Sequence, residues 1–201
     1  LELLLGEDPL PGSTTGIGHT RWATHGGPTD RNAHPHVSSD RRIAVIHNGI
    51  IENFHVLRTE LEAAGILLES DTDTEVVAHL MARALPEVGN SLPLAMQAVC
   101  SRLEGAFTLV VIDRDQPDLV VGARRNSPLV VGLGEGGNFL ASDVSAFVEH
   151  TRSALELGQD QIVIMKADSV VVTDFSGNVV EAKPFTIDWD ASSAEKGGFE
   201  W

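Results

Sequence analysis

From Ala106 onward the chain is a succession of short β-rich runs whose connections are too short to hold a helix. Ala106 to Ile112, Leu119 to Ala123, Leu129 to Leu133, Phe139 to Ser142, Gln161 to Lys166 and Ser169 to Thr173 read as strands, many separated by Gly, Asp, Asn or Pro turns. A parallel pair needs a crossover of a dozen residues or more, so short connections require antiparallel neighbours. Asp143 to His150 is predicted to add one short helix. The first half reads differently. Ile43 to His47 forms a short β-like stretch leading into His47-Asn48-Gly49. A helix is predicted from about Asn53 to Ala64, with Phe54, Leu57, Leu61 and Ala64 on one face and Gly65 as its stop. A second begins near Thr72, where Thr72-Asp73-Thr74-Glu75 has capping-box spacing, and continues through Val76, Val77, Leu80 and Ala84. A third covers Pro93 to Leu103 and ends at Gly105. The expected result is a layered α/β domain with largely antiparallel sheets. Neither common phosphate-cradling glycine loop is present.

With 201 residues the chain is the size of one domain and long enough to bury a substantial core. Its 42% hydrophobic content is that of an ordinary globular protein, and no apolar run approaches the roughly 18 residues of a membrane span. The formal charge of −15 argues against nucleic acid, whose phosphates call for a basic face. A single cysteine, Cys100, cannot form an internal disulfide, which fits a reducing, cytoplasmic setting. Leu1 to Leu5 lack the basic flank and cleavage site of a signal peptide, and residues 1–15 read as the remnant of a longer upstream segment.

Four segments carry chemistry. Gly18-His19-Thr20-Arg21-Trp22-Ala23-Thr24-His25-Gly26 gathers a fixed cation, two imidazoles, two hydroxyls and an indole. An Arg fork can pair with a carboxylate through two hydrogen bonds, although an edge strand with a core Trp accounts for the segment as well. Asn32-Ala33-His34-Pro35-His36 has the histidines of a metal site, but no HExxH or compact Cys/His ligand set accompanies them, which favours structural histidines. His47-Asn48-Gly49 between apolar runs is a strong hairpin signal. The same Asn amide and Gly N–H could instead converge on an oxyanion. Ser70-Asp71-Thr72-Asp73-Thr74-Glu75 fits a helix cap, or a carboxylate that recognises an ammonium group. Cys100 shares an apolar helical pattern with Met96, Val99 and Leu103, which marks it as a buried packing residue with a raised pKa.

Together HTRWATHG, NAHPH, HNGIIEN and SDTDTEV, with Ala123-Arg124, Ser127-Pro128-Leu129 and Ala141-Ser142-Asp143 downstream, resemble one family over about Thr15 to Gly198. It is the glutaminase (class II glutamine amidotransferase) domain of the glutamine–fructose-6-phosphate aminotransferases (isomerizing), the glucosamine-6-phosphate synthases. The resemblance implies an N-terminal-nucleophile hydrolase fold, an αββα sandwich of two antiparallel sheets. It implies hydrolysis of glutamine, with the ammonia passed to isomerase domains that convert fructose 6-phosphate to glucosamine 6-phosphate. On the matching positions, Arg21 would hold the glutamine α-carboxylate and Asp73 its α-ammonium. Asn48 and Gly49 would form the oxyanion hole. Trp22, Thr24 and His25 would belong to the loop that closes over the substrate. No metal or organic cofactor is implied, and the intact family is usually a homodimer in the cytoplasm.

The family's opening Cys-Gly-Ile-Val-Gly-like strand, which carries its nucleophile, does not occur in these residues. The expectation is therefore an amidotransferase domain over 16–190 that does not hydrolyse glutamine unaided, with 191–201 opening a linker toward isomerase domains. Two other readings stay open at this stage. One is a non-catalytic glutamine-binding module. The other is a metallohydrolase using His19, His25, His34 and His36.

Overall fold

The computed structural model describes residues 14–22 and 26–188. Ten strands lie among them: β1 (His36–Val37), β2 (Ile43–Ile51), β3 (Gly105–Asp113), β4 (Val120–Arg125), β5 (Val130–Gly134), β6 (Gly137–Ala141), β7 (Ser153–Glu156), β8 (Gln161–Met165), β9 (Val170–Asp174) and β10 (Lys183–Thr186). They form a six-stranded sheet, β1-β2-β3-β4-β8-β9, and a four-stranded sheet, β10-β7-β5-β6. Every neighbouring pair is antiparallel, as the short connections require.

Side-chain alternation along β3 assigns its two faces. Phe107, Leu109 and Val111 point into a core shared with the helices, whereas Val110 and Ile112 join Val120, Leu129, Val131 and Val163 in a second core. That second core is the layer between the sheets. The far face of the small sheet is covered by Phe147, Val148 and Ile187 with Val130 and Phe139. Fully burying each large apolar side chain contributes roughly 1.5–3 kcal/mol, so both sheets are held chiefly by these alternating faces.

The helices are α1 (Phe54–Ala63), α2 (Thr74–Glu87) and α3 (Leu92–Cys100). They pack through Leu57, Leu61, Val77, Met81, Leu92 and Met96 against Ile43, Val45 and Leu109 of the large sheet. Ala64 is exposed rather than part of the apolar face, and Gly65, at φ +81°, turns the chain out of α1. Helix α3 ends at Cys100, short of Leu103. Gly105 starts β3 rather than stopping a helix. The stretch 143–150 forms a 3-10 turn at Val144–Ala146 instead of an α-helix, because Asp143 accepts the Ser145 N–H and closes a tight turn.

Two features position the site. Asn48-Gly49 is no hairpin turn: it lies inside β2, with Asn48 opposite Thr108 and Gly49 opposite Phe107. The capping box is half realised. Thr72 Oγ1 accepts the Glu75 N–H at 3.4 Å, but the Glu75 carboxylate turns to the Glu69 and Ser70 N–H groups at 2.7 and 2.6 Å. Glu75 thereby clamps the loop that delivers Asp73 to the start of α2.

Candidate active site

A cavity of about 100 Å³, as bounded by the described residues, is lined by His19, Arg21, Trp22, His34, His47, Asn48, Gly49, Asp73 and Thr74. Five of the seven residues singled out from sequence therefore meet in one place: Arg21, Trp22, Asn48, Gly49 and Asp73. Thr24 and His25 lie outside the described residues. A larger hollow of about 680 Å³ runs beside Arg124, Ser127, Asp143 and Glu156. Its Arg124 donates to Leu157 O at 2.6 Å and its Asp143 accepts from Ser145. The smaller cavity is the better chemical candidate, because there a guanidinium, a carboxylate and an amide border one space.

Each of these groups is placed by a specific contact. Asp73 is buried, and its Oδ2 accepts the Ile51 N–H at 2.9 Å, which ties the start of α2 to β2. Asn48 projects from β2, and its Oδ1 lies 2.7 Å from His19 Nε2. Gly49 has φ +121°, and a Cβ there would stand 2.1 Å from Ala106 O, so only glycine fits. The Arg21 guanidinium donates to the carbonyls of Gly26 and Gly27 at 3.1 and 3.3 Å, folding its own loop beside the cavity. Trp22 is 90% exposed, which removes the reading of this segment as an edge strand with a core Trp.

The histidines form a connected set that sequence reading did not resolve. His34 Nδ1 lies 3.0 Å from His19 Nδ1, and His34 Nε2 lies 3.0 Å from Thr74 Oγ1. His47 Nδ1 also meets Thr74 Oγ1 at 3.0 Å, and His36 Nε2 meets Thr72 Oγ1 at 2.9 Å. Burial, reinforced by neighbouring His19, His36 and His47, pushes His34 down to about 3. Burial also lowers His36. Ring nitrogens of His34, His36 and His47 are engaged with Thr hydroxyls, which suits a polar network better than the metallohydrolase alternative. Among the described residues no three His, Cys, Asp or Glu side chains are arranged to hold a metal ion. The recurrence of His in three separate motifs was the available signal, but Thr74, the partner that His34 and His47 share, carried none.

Cys100 is fully buried at the end of α3, and burial raises its thiol to about 12. A thiol in that state is a packing group rather than a nucleophile.

Glu75 makes a pH prediction. Burial opposes its charge, but the His79 ring 3.5 Å away and hydrogen bonds from the Ser70 hydroxyl and the Glu69 and Ser70 N–H groups hold it down to about 2, against an ordinary 4.5. A depressed carboxylate stabilises the fold fully above about pH 4.5 and loses that contribution as pH falls toward 2, here on the order of 3 kcal/mol. Thermal unfolding measured across that window should be distinctly flatter in Glu75→Gln than in the parent. Parallel curves would show that Glu75 does not couple to folding.

Comparison with known proteins gives the family and the fold. Residues 10–181 match the model of the glutamine amidotransferase domain family. The chain is 64% identical over 195 residues to a protein of Leifsonia xyli subsp. xyli named glutamine–fructose-6-phosphate aminotransferase (isomerizing), covering 97% of this chain and 32% of that one. Identity to the protein of the same name from Streptomyces coelicolor is 61% over 199 residues, covering 99% and 32%. The chain thus spans about a third of the length of these relatives. A solved glutamine phosphoribosylpyrophosphate amidotransferase from B. subtilis, complexed with ADP and GMP, superposes with a TM-score of 0.64 at 26% identity. It covers 80% of this chain and 35% of that one. A structure described as the allosteric regulatory enzyme of purine biosynthesis gives 0.63 at 28%, with the same coverage. The two-sheet architecture implied by the resemblance is borne out by these matches. By sequence over most of its length and by fold, the chain belongs to the glutamine amidotransferase domain family.

Proposed function

We propose that this domain binds glutamine in the small cavity and takes part in hydrolysing its side-chain amide, the ammonia serving conversion of fructose 6-phosphate to glucosamine 6-phosphate. The observation that carries the reading is the convergence of Arg21, Asp73 and the Asn48-Gly49 pair on one cavity. A free α-amino acid has one anionic and one cationic end. Arg21 supplies a fork for the carboxylate, and Asp73 Oδ1, on the side of the carboxylate not bonded to Ile51, supplies the partner for the ammonium. Asn48 and Gly49 offer donors to the oxyanion that forms when the amide carbon is attacked. Trp22 borders the cavity, and Thr24 and His25 keep the substrate-contacting role that the family resemblance implies.

Among these 201 residues the single thiol is Cys100, which is buried, so the attacking group is not among them. Glutamine binding and hydrolysis are therefore best measured together in the complete gene product, and the names of the relatives support proposing the sugar-phosphate chemistry there. Arg21→Lys keeps the charge but loses the planar fork, and should weaken glutamine binding about tenfold or more. Asp73→Asn should weaken it similarly. Calorimetric titration showing unchanged affinity in both variants would remove this assignment and leave a domain of the family that does not bind glutamine here.

A further inference from the structure

We propose that His19 is a positioning residue: it holds the Asn48 side-chain amide in the flip that turns its NH2 toward the cavity, and His34 fixes the tautomer that lets it do so. The inference rests on the reading of Asn48 as an oxyanion donor and deepens it. An Asn amide has nearly the same shape in its two flips, and hydrogen bonding decides between them. With NH2 inward, Asn48 donates to an oxyanion. With C=O inward, it would repel one.

The directions along the network follow from what each atom can do. Asn48 Oδ1 can only accept, so His19 Nε2, 2.7 Å away, carries the proton. In a neutral ring that leaves a lone pair on His19 Nδ1, and His34 Nδ1, 3.0 Å away, must donate to it. His34 Nε2 is then an acceptor, served by the single proton of the Thr74 hydroxyl at 3.0 Å. That proton has a competing acceptor in Asp73 Oδ1, but at 3.5 Å. Thr74 Oγ1 in turn accepts from His47 Nδ1 at 3.0 Å, a nitrogen whose proton also faces Asp73 Oδ1 at 3.9 Å. The wire thus starts beside the Asp73 carboxylate and ends on the Asn48 amide. Reversing it would place a lone pair on His19 Nε2 and draw the Asn48 NH2 outward, presenting the carbonyl to the cavity. Burial keeps His34 neutral at working pH, so that ring carries one proton and its two nitrogens take opposite roles. The His19 and His34 rings meet edge to face, with centroids 4.3 Å apart and planes at 67°, which restrains both from rotating.

The test uses the complete gene product. His19→Phe keeps a planar ring and removes the donor. The kcat for glutamine hydrolysis should fall about tenfold with KM unchanged within about twofold, the size of one net hydrogen bond felt in the transition state. His19→Gln, whose amide N–H can reach Asn48 Oδ1, should recover most of that loss. In an Asn48→Ala background, His19→Phe should cost nothing further, because the group it positions is gone. An equal loss in both backgrounds, or a KM effect with kcat intact, would make His19 a loop-packing residue and overturn the proposal. Imidazole 15N shifts give a readout independent of hydrolysis, expected as Nε2–H for His19 and Nδ1–H for His34. A His19 Nδ1–H tautomer would overturn the proposal even in an active protein. Absence of glutamine hydrolysis in the unsubstituted protein would instead sink the functional reading, and the tautomers would still decide the amide's orientation.

Discussion

In the complete gene product, Asn48→Ala is expected to lower kcat for glutamine hydrolysis by about 10²–10³, roughly 3–4 kcal/mol, while KM changes little. The asymmetry follows from when the contact matters. A neutral amide oxygen in the ground state gains little from an extra donor, because water serves it almost as well. A tetrahedral oxyanion in a partly closed site gains much more. Asn48 is half-buried, sits on a paired strand and has its carbonyl oxygen engaged by His19, so its NH2 is set before substrate arrives. Steady-state kinetics on glutamine decide the matter. A rise in KM at constant kcat would make Asn48 a ground-state contact, and no change in either would leave it a structural strand residue.

Gly49→Ala should be the most damaging single methyl in the domain. The added Cβ would stand 2.1 Å from Ala106 O and 2.9 Å from Ala106 C, both backbone atoms of β3 that cannot swing aside. Its φ of +121° is also a region that L side chains rarely adopt. Backbone strain of about 1–3 kcal/mol and the clash together should cost about 3 kcal/mol or more, lowering Tm by roughly 6–12 °C for a domain of this size. Opening β2 from β3 to relieve the clash would also displace Asn48, so hydrolysis should fall with stability. Gly137→Ala is the control: nothing lies within 4 Å of the place its added methyl would take, and its change should stay within about 0.5 kcal/mol. Thermal melts that place the two variants together would show that β2 and β3 can part at Gly49 without cost.

The strands that sequence made most legible are those covered on both faces. β3, β4 and β8 each present one face to the helices and the other to the second sheet, and all three were visible as apolar runs. β7 and β10 were not. Ser153–Glu156 has a single buried residue in four, and Lys183–Thr186 is exposed throughout and contains Pro184, so neither carries a period-2 signal. β1 is two residues long and is defined only by its pairing with Ala44 and Val45. At the site, Arg21, Asn48, Gly49 and Asp73 were legible because each sits in a motif of unusual composition. Turn chemistry nonetheless pointed to the wrong local structure for Asn48-Gly49: tertiary pairing with Thr108 and Phe107 overrides the hairpin preference of Asn-Gly. The histidine wire was hidden for another reason. Its links join residues 29, 15, 40 and 27 positions apart, and no local pattern encodes such contacts.

Strand β2 also works as a measuring rod. It carries Asn48 near its end and, three residues on, the Ile51 N–H that fixes Asp73. In an extended strand those positions are about 10 Å apart along the axis, and the separation is set by covalent geometry rather than by loops. In the proposed mode, with the ammonium at Asp73, the strand would help to set the length of side chain that brings an amide to Asn48. Asparagine, one methylene shorter, is then expected to be the poorer substrate, with chain-length selectivity written partly in the backbone of a single strand.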